Sequence, residues 1–141
     1  MLQKIIVISG ATASGKSGLA LEIANFKESV IINADSLQIY QGLPILSAQP
    51  TMQEKNQVAH KLYSILKAQD SSSVASWLHL AQSEIKQAWH NNKVPIIVGG
   101  SGMYISKLIE GINEIPEISV EIKQQAKAEF MAIGIDDFRK N

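Results

Sequence analysis

The chain has 141 residues, 45% of them hydrophobic and 18% charged, which is enough for one domain with a real core and unlike a disordered segment. Lysine plus arginine and aspartate plus glutamate both number 13, so the chain has no general electrostatic pull toward nucleic acid, although a local basic patch is compatible with that balance. Cysteine is absent, which excludes disulfides, thiolate catalysis and cysteine-ligated zinc, and fits a reducing cytoplasm.

Residues 4–9 are apolar on consecutive positions, as expected of a buried strand in a parallel sheet. No apolar run reaches the roughly 18 residues of a spanning helix, and this first one leads straight into a glycine-rich turn instead of a cleavage site. That turn is Gly10-Ala11-Thr12-Ala13-Ser14-Gly15-Lys16-Ser17, with the spacing G-x-x-x-x-G-K-S of a phosphate-binding P-loop. Its glycines let successive N–H groups curl around one anion. The helix expected over 16–26 adds its N-terminal N–H groups and its dipole. Leu19, Leu21, Ile23 and Ala24 form the expected buried side of that helix. Lys16 supplies a positive charge, and Ser17 supplies a hydroxyl that can ligate magnesium. The loop specifies a polyphosphate; it leaves open what is done with it.

Residues 29–33 read as a second buried strand, giving a βαβ unit with a right-handed crossover. Asp35 follows directly, within Ala34-Asp35-Ser36-Leu37-Gln38-Ile39-Tyr40. The carboxyl ends of parallel strands form the ligand crevice, so Asp35 is expected on the same edge as the phosphate loop. Asp35 can cap a short helix with Gln38 in a capping box, or act as a catalytic carboxylate, and the two roles are compatible.

Gly42-Leu43-Pro44 and Gln49-Pro50-Thr51 punctuate a loop. Residues 52–59 look helical with Thr51 as cap, and 60–66 fit a strand or a helix equally. His60 stands without a second histidine or a cysteine, which reads as a structural or surface side chain. Over 74–91, Val74, Trp77, Leu78, Ala81, Ile85, Ala88 and Trp89 recur at three- and four-residue steps, the mark of a helix with one apolar face. Ser73 is its candidate cap, and His79 and His90 lie off the stripe. Residues 94–98 are the next strand, followed by a second glycine-rich turn, Gly99-Gly100-Ser101-Gly102, and a helix over about 103–110 that ends at Gly111. A last helix spans 119–133, with Ser119 as cap, Ile122, Ala126, Phe130 and Ile133 on one side, and Gly134 as its stop. The strand 94–98 ends in Gly99, not in the magnesium-holding aspartate of a P-loop ATPase, which favours transfer chemistry over ATP-driven motion.

Three motifs thus stand in order: GATASGKS, ADSLQIY and VGGSGMYI. Together they resemble the tRNA dimethylallyltransferase (tRNA isopentenyltransferase) family, from about residue 4 to about residue 130, with Ser47-Ala48-Gln49-Pro50-Thr51 and Ser73-Val74-Ala75 adding to the match. The resemblance implies an α/β fold, a P-loop NTPase-like parallel sheet with flanking helices. It divides the chain into a catalytic core over 1–117 and the start of a helical tRNA-binding insertion over 118–141. It implies transfer of a dimethylallyl group from its diphosphate to the exocyclic nitrogen of the adenine 3′ of the anticodon. The partners implied are tRNA and dimethylallyl diphosphate, with Mg2+ as cofactor and neither membrane nor DNA involved. Loop residues Gly10 to Ser17 would hold the diphosphate, with Ser17 on the metal. Asp35 and Ser101 would be catalytic, and Asp35, Ser36, Leu37, Gln38 and Ser101 would meet the tRNA.

The chain departs from the family pattern at several positions. Gln49 stands for a usual lysine, Ser64 for an aspartate, Ser72 for a tyrosine and Ser101 for a threonine. Family members run to about twice this length, so the chain reads as an N-terminal fragment that is weakly active or inactive alone, with a complementing C-terminal fragment as a partner. Two other readings compete. A small P-loop kinase fits the size, but Arg139 is the only arginine, and phosphoryl transfer wants cations on the migrating group. A non-enzymatic fragment would expose the apolar faces of the helices over 103–110 and 119–133.

Overall fold

A computed structural model describes residues 3–112 and 118–138. The elements are β1 (Ile6–Ser9), α1 (Lys16–Phe26), β2 (Ser29–Asn33), α2 (Met52–Gln57), β3 (Ala59–Lys61), α3 (Val74–His90), β4 (Val94–Gly99), α4 (Gly102–Glu110) and α5 (Val120–Phe138). The strands form one parallel sheet in the order β1-β4-β2-β3, so β4 lies between the two strands of the expected βαβ unit. Helices flank the sheet, which is the expected α/β class. The stretch 113–117, where the sequence closes the core, lies outside the described residues, as does Arg139.

The twofold alternation of side chains along a strand builds two cores. Val30 and Ile32 of β2 and Ile97 of β4 pack with Trp77, Ala81 and Ile85 of α3 and with Tyr104 and Ile105 of α4. Ile31, Ile96 and Val98 face the other way, against Ala20 of α1 and Ile8 of β1. Ile31, Ile32, Ile96 and Ile97 are almost wholly buried, and each such side chain contributes about 1.5–3 kcal/mol of transfer free energy. The α3 stripe is buried or half-buried as its period predicts, whereas His79 and His90 are exposed. Trp77 stacks on Tyr104 with ring centroids 4.4 Å apart, joining α3 to α4.

The caps predicted at Thr51, Ser73 and Ser119 form. Thr51 and Glu54 make a capping box on α2, Ser73 and Ser76 make one on α3, and Ser119 Oγ accepts from Ile122 N–H on α5. Gly111 takes the left-handed φ of 85° that ends α4.

Five expectations change. β1 is an edge strand, not a buried one: Ile5 and Val7 are 39% and 38% exposed, and within the strand only Ile8 is buried. On α1 Leu21, Ile23 and Ala24 pack against the core as expected, but the fully buried residue is Ala20 and Leu19 is exposed. α2 stops at Gln57 because Val58 is already extended. The ambiguous stretch 60–66 is neither a strand nor a helix throughout: β3 ends at Lys61, and Leu62 and Ser64 adopt left-handed φ values of 63° and 53°. Gly134, at φ 77° and ψ 172°, interrupts α5 without ending it, and helix resumes to Phe138.

α5 exposes Ile122, Met131 and Ile133, and α4 exposes Met103 and Ile109. Among the described residues no helix is long and apolar enough to cross a membrane.

Candidate active site

Register brings the three motifs together. Ser9 pairs with Gly99, and Asn33 pairs with Val98, so β1, β2 and β4 end side by side. The phosphate loop, the Asp35 turn and the Gly100 turn therefore leave the sheet at one edge. The contact between them is tight. A Cβ on Gly99 would meet the Ala34 carbonyl oxygen at 2.1 Å, so only glycine fits there. A Cβ on Gly100 would lie 3.4 Å from the Gly10 carbonyl oxygen and 4.0 Å from Asp35 Oδ2.

The loop has the curled backbone its glycines predict. Gly15 is left-handed at φ 84°, and Ala13 shares that conformation at φ 61°. The Lys16 ammonium lies back over the loop, donating to the Ala11 carbonyl and, at 3.5 Å, to Ser14 Oγ. A cleft of about 350 Å3 is lined by the loop from Thr12 to Gly18 together with Asp35, Gln38, Ser47 and Ala48. Gly10 and Ala11 stand behind it at the strand end. Ser17 is exposed, and its hydroxyl is the group that could join a metal to a bound phosphate. Among the described residues no group of three or more His, Asp or Glu side chains forms a ready-made metal site.

Asp35 does not cap a helix. Residues 36–39 form turns, and Asp35 Oδ1 accepts from Leu37 N–H at 2.9 Å, an Asx turn. Gln38 is not its capping-box partner either, because its amide donates to the Ser47 and Ala48 carbonyls at 2.7 and 3.0 Å. Gln38 thereby fixes the loop that forms the far wall of the cleft. Ser101 Oγ accepts from Ser36 N–H at 2.9 Å, tying the second glycine-rich turn to the Asp35 turn. Ser36, Leu37 and Ser101 do not line the phosphate cleft. Leu37 lines a neighbouring apolar pocket of about 520 Å3 with Tyr40, Leu43 and Leu46.

Sequence reasoning missed Asn33. It is fully buried and holds Asp35 from both sides of its backbone: Oδ1 accepts from Asp35 N–H at 2.8 Å, and Nδ2 donates to the Asp35 carbonyl at 3.0 Å. Nδ2 also donates to the Leu62 carbonyl at 3.0 Å, and the Asn33 carbonyl accepts from Trp77 Nε1 at 2.8 Å. An amide that ends an otherwise apolar strand was the available signal. Tyr63 lies nearby. Burial, and after it the charges of Asp35 and Glu54, push its hydroxyl well above the usual phenol value, so it stays neutral.

Comparison with known proteins gives the family and the fold. A family model for IPP transferase matches residues 38–140. The chain is 44% identical over 137 residues to a tRNA dimethylallyltransferase of Ehrlichia ruminantium, covering 97% of this chain and 45% of that protein. Two crystal structures share the fold. One is a tRNA isopentenylpyrophosphate transferase from Bacillus halodurans, with 28% identity and a TM-score of 0.78 over 96% of this chain and 45% of that one. The other is its counterpart from Staphylococcus epidermidis, with 36% identity and a TM-score of 0.71 over 92% of this chain and 41% of that one. The chain thus spans under half the length of the relatives it matches. The kinase reading finds no support among them.

Proposed function

The chain belongs to the IPP transferase family, and from that membership we propose that it is the diphosphate-binding and base-activating part of a tRNA dimethylallyltransferase. The observation that carries this reading is that Asp35 and the phosphate loop line one cleft.

The chemistry suits those residues. An allylic diphosphate ionises readily once its leaving group is neutralised. The N–H groups of residues 13–17, and the Lys16 ammonium once it leaves the Ala11 carbonyl, take the diphosphate oxygens as the allylic C–O bond breaks. Magnesium held at Ser17 would add charge neutralisation there. The acceptor is an exocyclic amine of adenine whose lone pair is delocalised into the ring. Asp35 orients that amine and takes its proton as the N–C bond forms. Asn33 and the Asx turn fix the carboxylate for this task. The target base must leave its stack to reach the cleft. Ser36, Leu37, Gln38 and Ser101 form the adjoining wall that meets the anticodon loop, with core residues 1–117 leading into a tRNA-gripping segment from 118. Such a substrate places the reaction in the cytoplasm.

The test is transfer of labelled dimethylallyl to an anticodon stem-loop, by this chain alone and with the C-terminal part of the Ehrlichia ruminantium relative supplied in trans. The reading predicts weak or no transfer alone, transfer on complementation, and its loss in Asp35→Ala. Complemented transfer that survives Asp35→Ala contradicts the assigned role.

A further inference from the structure

A second and larger cleft, about 880 Å3 in volume, opens at the opposite edge of the sheet. β4 is six residues long, so the two clefts are separated by roughly 20 Å at about 3.3 Å per residue. Lys4 precedes β1, Lys27 follows α1, Lys86 and His90 lie in the last turns of α3, and Lys93 precedes β4; all five line this cleft with Trp89. Against the chain's overall neutrality this is a marked local excess of cations. Its acidic neighbour is Glu28, 3.9 Å from Lys93 and largely exposed. Among the described residues Lys4, Lys27 and Lys86 make no ion pair.

The ordinary role of cations at a helix end is to cap carbonyls and offset the dipole. Here the backbone already does the capping. Asn91 N–H donates to the Gln87 and Ala88 carbonyls, Lys93 N–H to Ala88 and Asn92 N–H to Trp89, while Val94 N–H takes the Glu28 carbonyl. The ammonium groups of Lys4, Lys27 and Lys86 remain available. The indole of Trp89 is half-buried and pinned by its Nε1 donating to the Lys4 carbonyl at 2.9 Å, so an aromatic wall stands fixed among the lysines. Lysines beside a fixed aromatic face are the means by which nucleotides are held without sequence preference. The volume falls within the ordinary range of ligand sites.

We propose that this cleft binds a nucleotide, its phosphate on Lys4, Lys27, Lys86 and Lys93 and its base against Trp89. The nucleotide comes either free or as part of an RNA strand. The proposal uses none of the residues of the phosphate-loop cleft and stands apart from the transfer reading.

Tryptophan emission tests it, since Trp77 is fully buried and the half-buried Trp89 is the reporter that lines the cleft. ADP and a single-stranded RNA of about 12 nucleotides are titrated separately into the Lys16→Ala variant, which silences the phosphate loop. The expected result is a saturable change with at least one of them, weakened at least about tenfold in Lys4→Gln/Lys27→Gln/Lys86→Gln. For RNA, the slope of log affinity against log salt should fall by about 0.7 per lysine removed. Saturation by ADP identifies a free nucleotide as the source, and saturation by RNA alone identifies a strand. Lys86→Glu, on the exposed face of α3, repeats the test if the triple variant unfolds by circular dichroism. No saturable change with either ligand, or unchanged affinity in the lysine variants, overturns the proposal.

Discussion

Gln49 and Ser64 are hydrogen-bonded to each other, the serine hydroxyl donating to Gln49 Oε1. These are two of the positions at which the chain departs from the family pattern, a lysine and an aspartate being usual there. Where the resemblance leads to an expected cation and anion, the two positions hold a neutral hydrogen-bonded pair. Gln49 is buried, and its Nε2 also donates to the Tyr40 carbonyl at 2.8 Å, so it anchors the base of the loop that Gln38 holds at Ser47 and Ala48. A neutral pair avoids the desolvation that buried ions incur.

Ser64→Ala should cost about 1–3 kcal/mol by leaving Gln49 Oε1 without its donor. Gln49→Lys alone should cost more, by burying an uncompensated charge, and adding Ser64→Asp should recover most of the loss. Urea unfolding of the four proteins in a double-mutant cycle measures the coupling, expected to exceed about 0.5 kcal/mol. Additive costs would show the two positions to be independent.

Asn33→Ala removes both bonds that clasp the Asp35 backbone and the one to Leu62. The loss expected is about 1–3 kcal/mol from groups left unpaired. Amide exchange should quicken at Asp35 in particular. Uniform quickening over β2 would instead indicate a general loss of packing.

Gly99→Ala places a Cβ 2.1 Å from the Ala34 carbonyl oxygen, where the surrounding backbone must shift. Destabilisation of about 1–3 kcal/mol is expected. Gly102→Ala is the control, because its Cβ meets nothing within 4 Å and it opens α4. Thermal unfolding of the pair should separate them clearly; equal melting temperatures would contradict the close approach of β2 and β4.

Burial holds His60 below its ordinary value, against the raising effects of its bond to the Val58 carbonyl and of the Glu54 charge, while Lys55 adds to the lowering. The unfolded chain therefore takes up the proton first on acidification, and stability falls as pH drops below about 6.5. Glu54 is lowered by its bonds to Thr51, chiefly the backbone N–H, so its contribution is present above the carboxylate range and lost further into acid. Melting temperature should fall between about pH 7.5 and pH 5.5, and His60→Asn should flatten that fall. An unchanged slope in the variant would remove His60 from the account.

What could be read from sequence was local. The phosphate loop, the α3 stripe and the caps at Thr51, Ser73 and Gly111 depend on residues within a few positions of one another, and each forms. Edge and centre are properties of the whole sheet, so the continuous apolar run of residues 4–9 gave no sign that β1 lies at the rim. The Asp-x-x-Gln spacing suggested a capping box, but the Gln38 amide finds the Ser47 and Ala48 carbonyls instead. Asn33 at the end of β2 was legible as a polar strand end, but its partners in the clasp are backbone groups of Asp35, which carry no sequence mark. Ser36 with Ser101 and Gln49 with Ser64 are pairs 65 and 15 residues apart, joined only once the chain folds.

The central claim is that the loop from Gly10 to Ser17 holds a diphosphate beside Asp35. Calorimetric titration of the chain with dimethylallyl diphosphate and with ATP, each with magnesium, tests it most directly. Saturable binding of the allylic diphosphate is expected, tighter than ATP, weakened at least about tenfold by Lys16→Ala and little changed by Asp35→Ala, whose carboxylate is proposed to serve the acceptor. Tighter binding of ATP, or allylic diphosphate binding indifferent to Lys16→Ala, would contradict it.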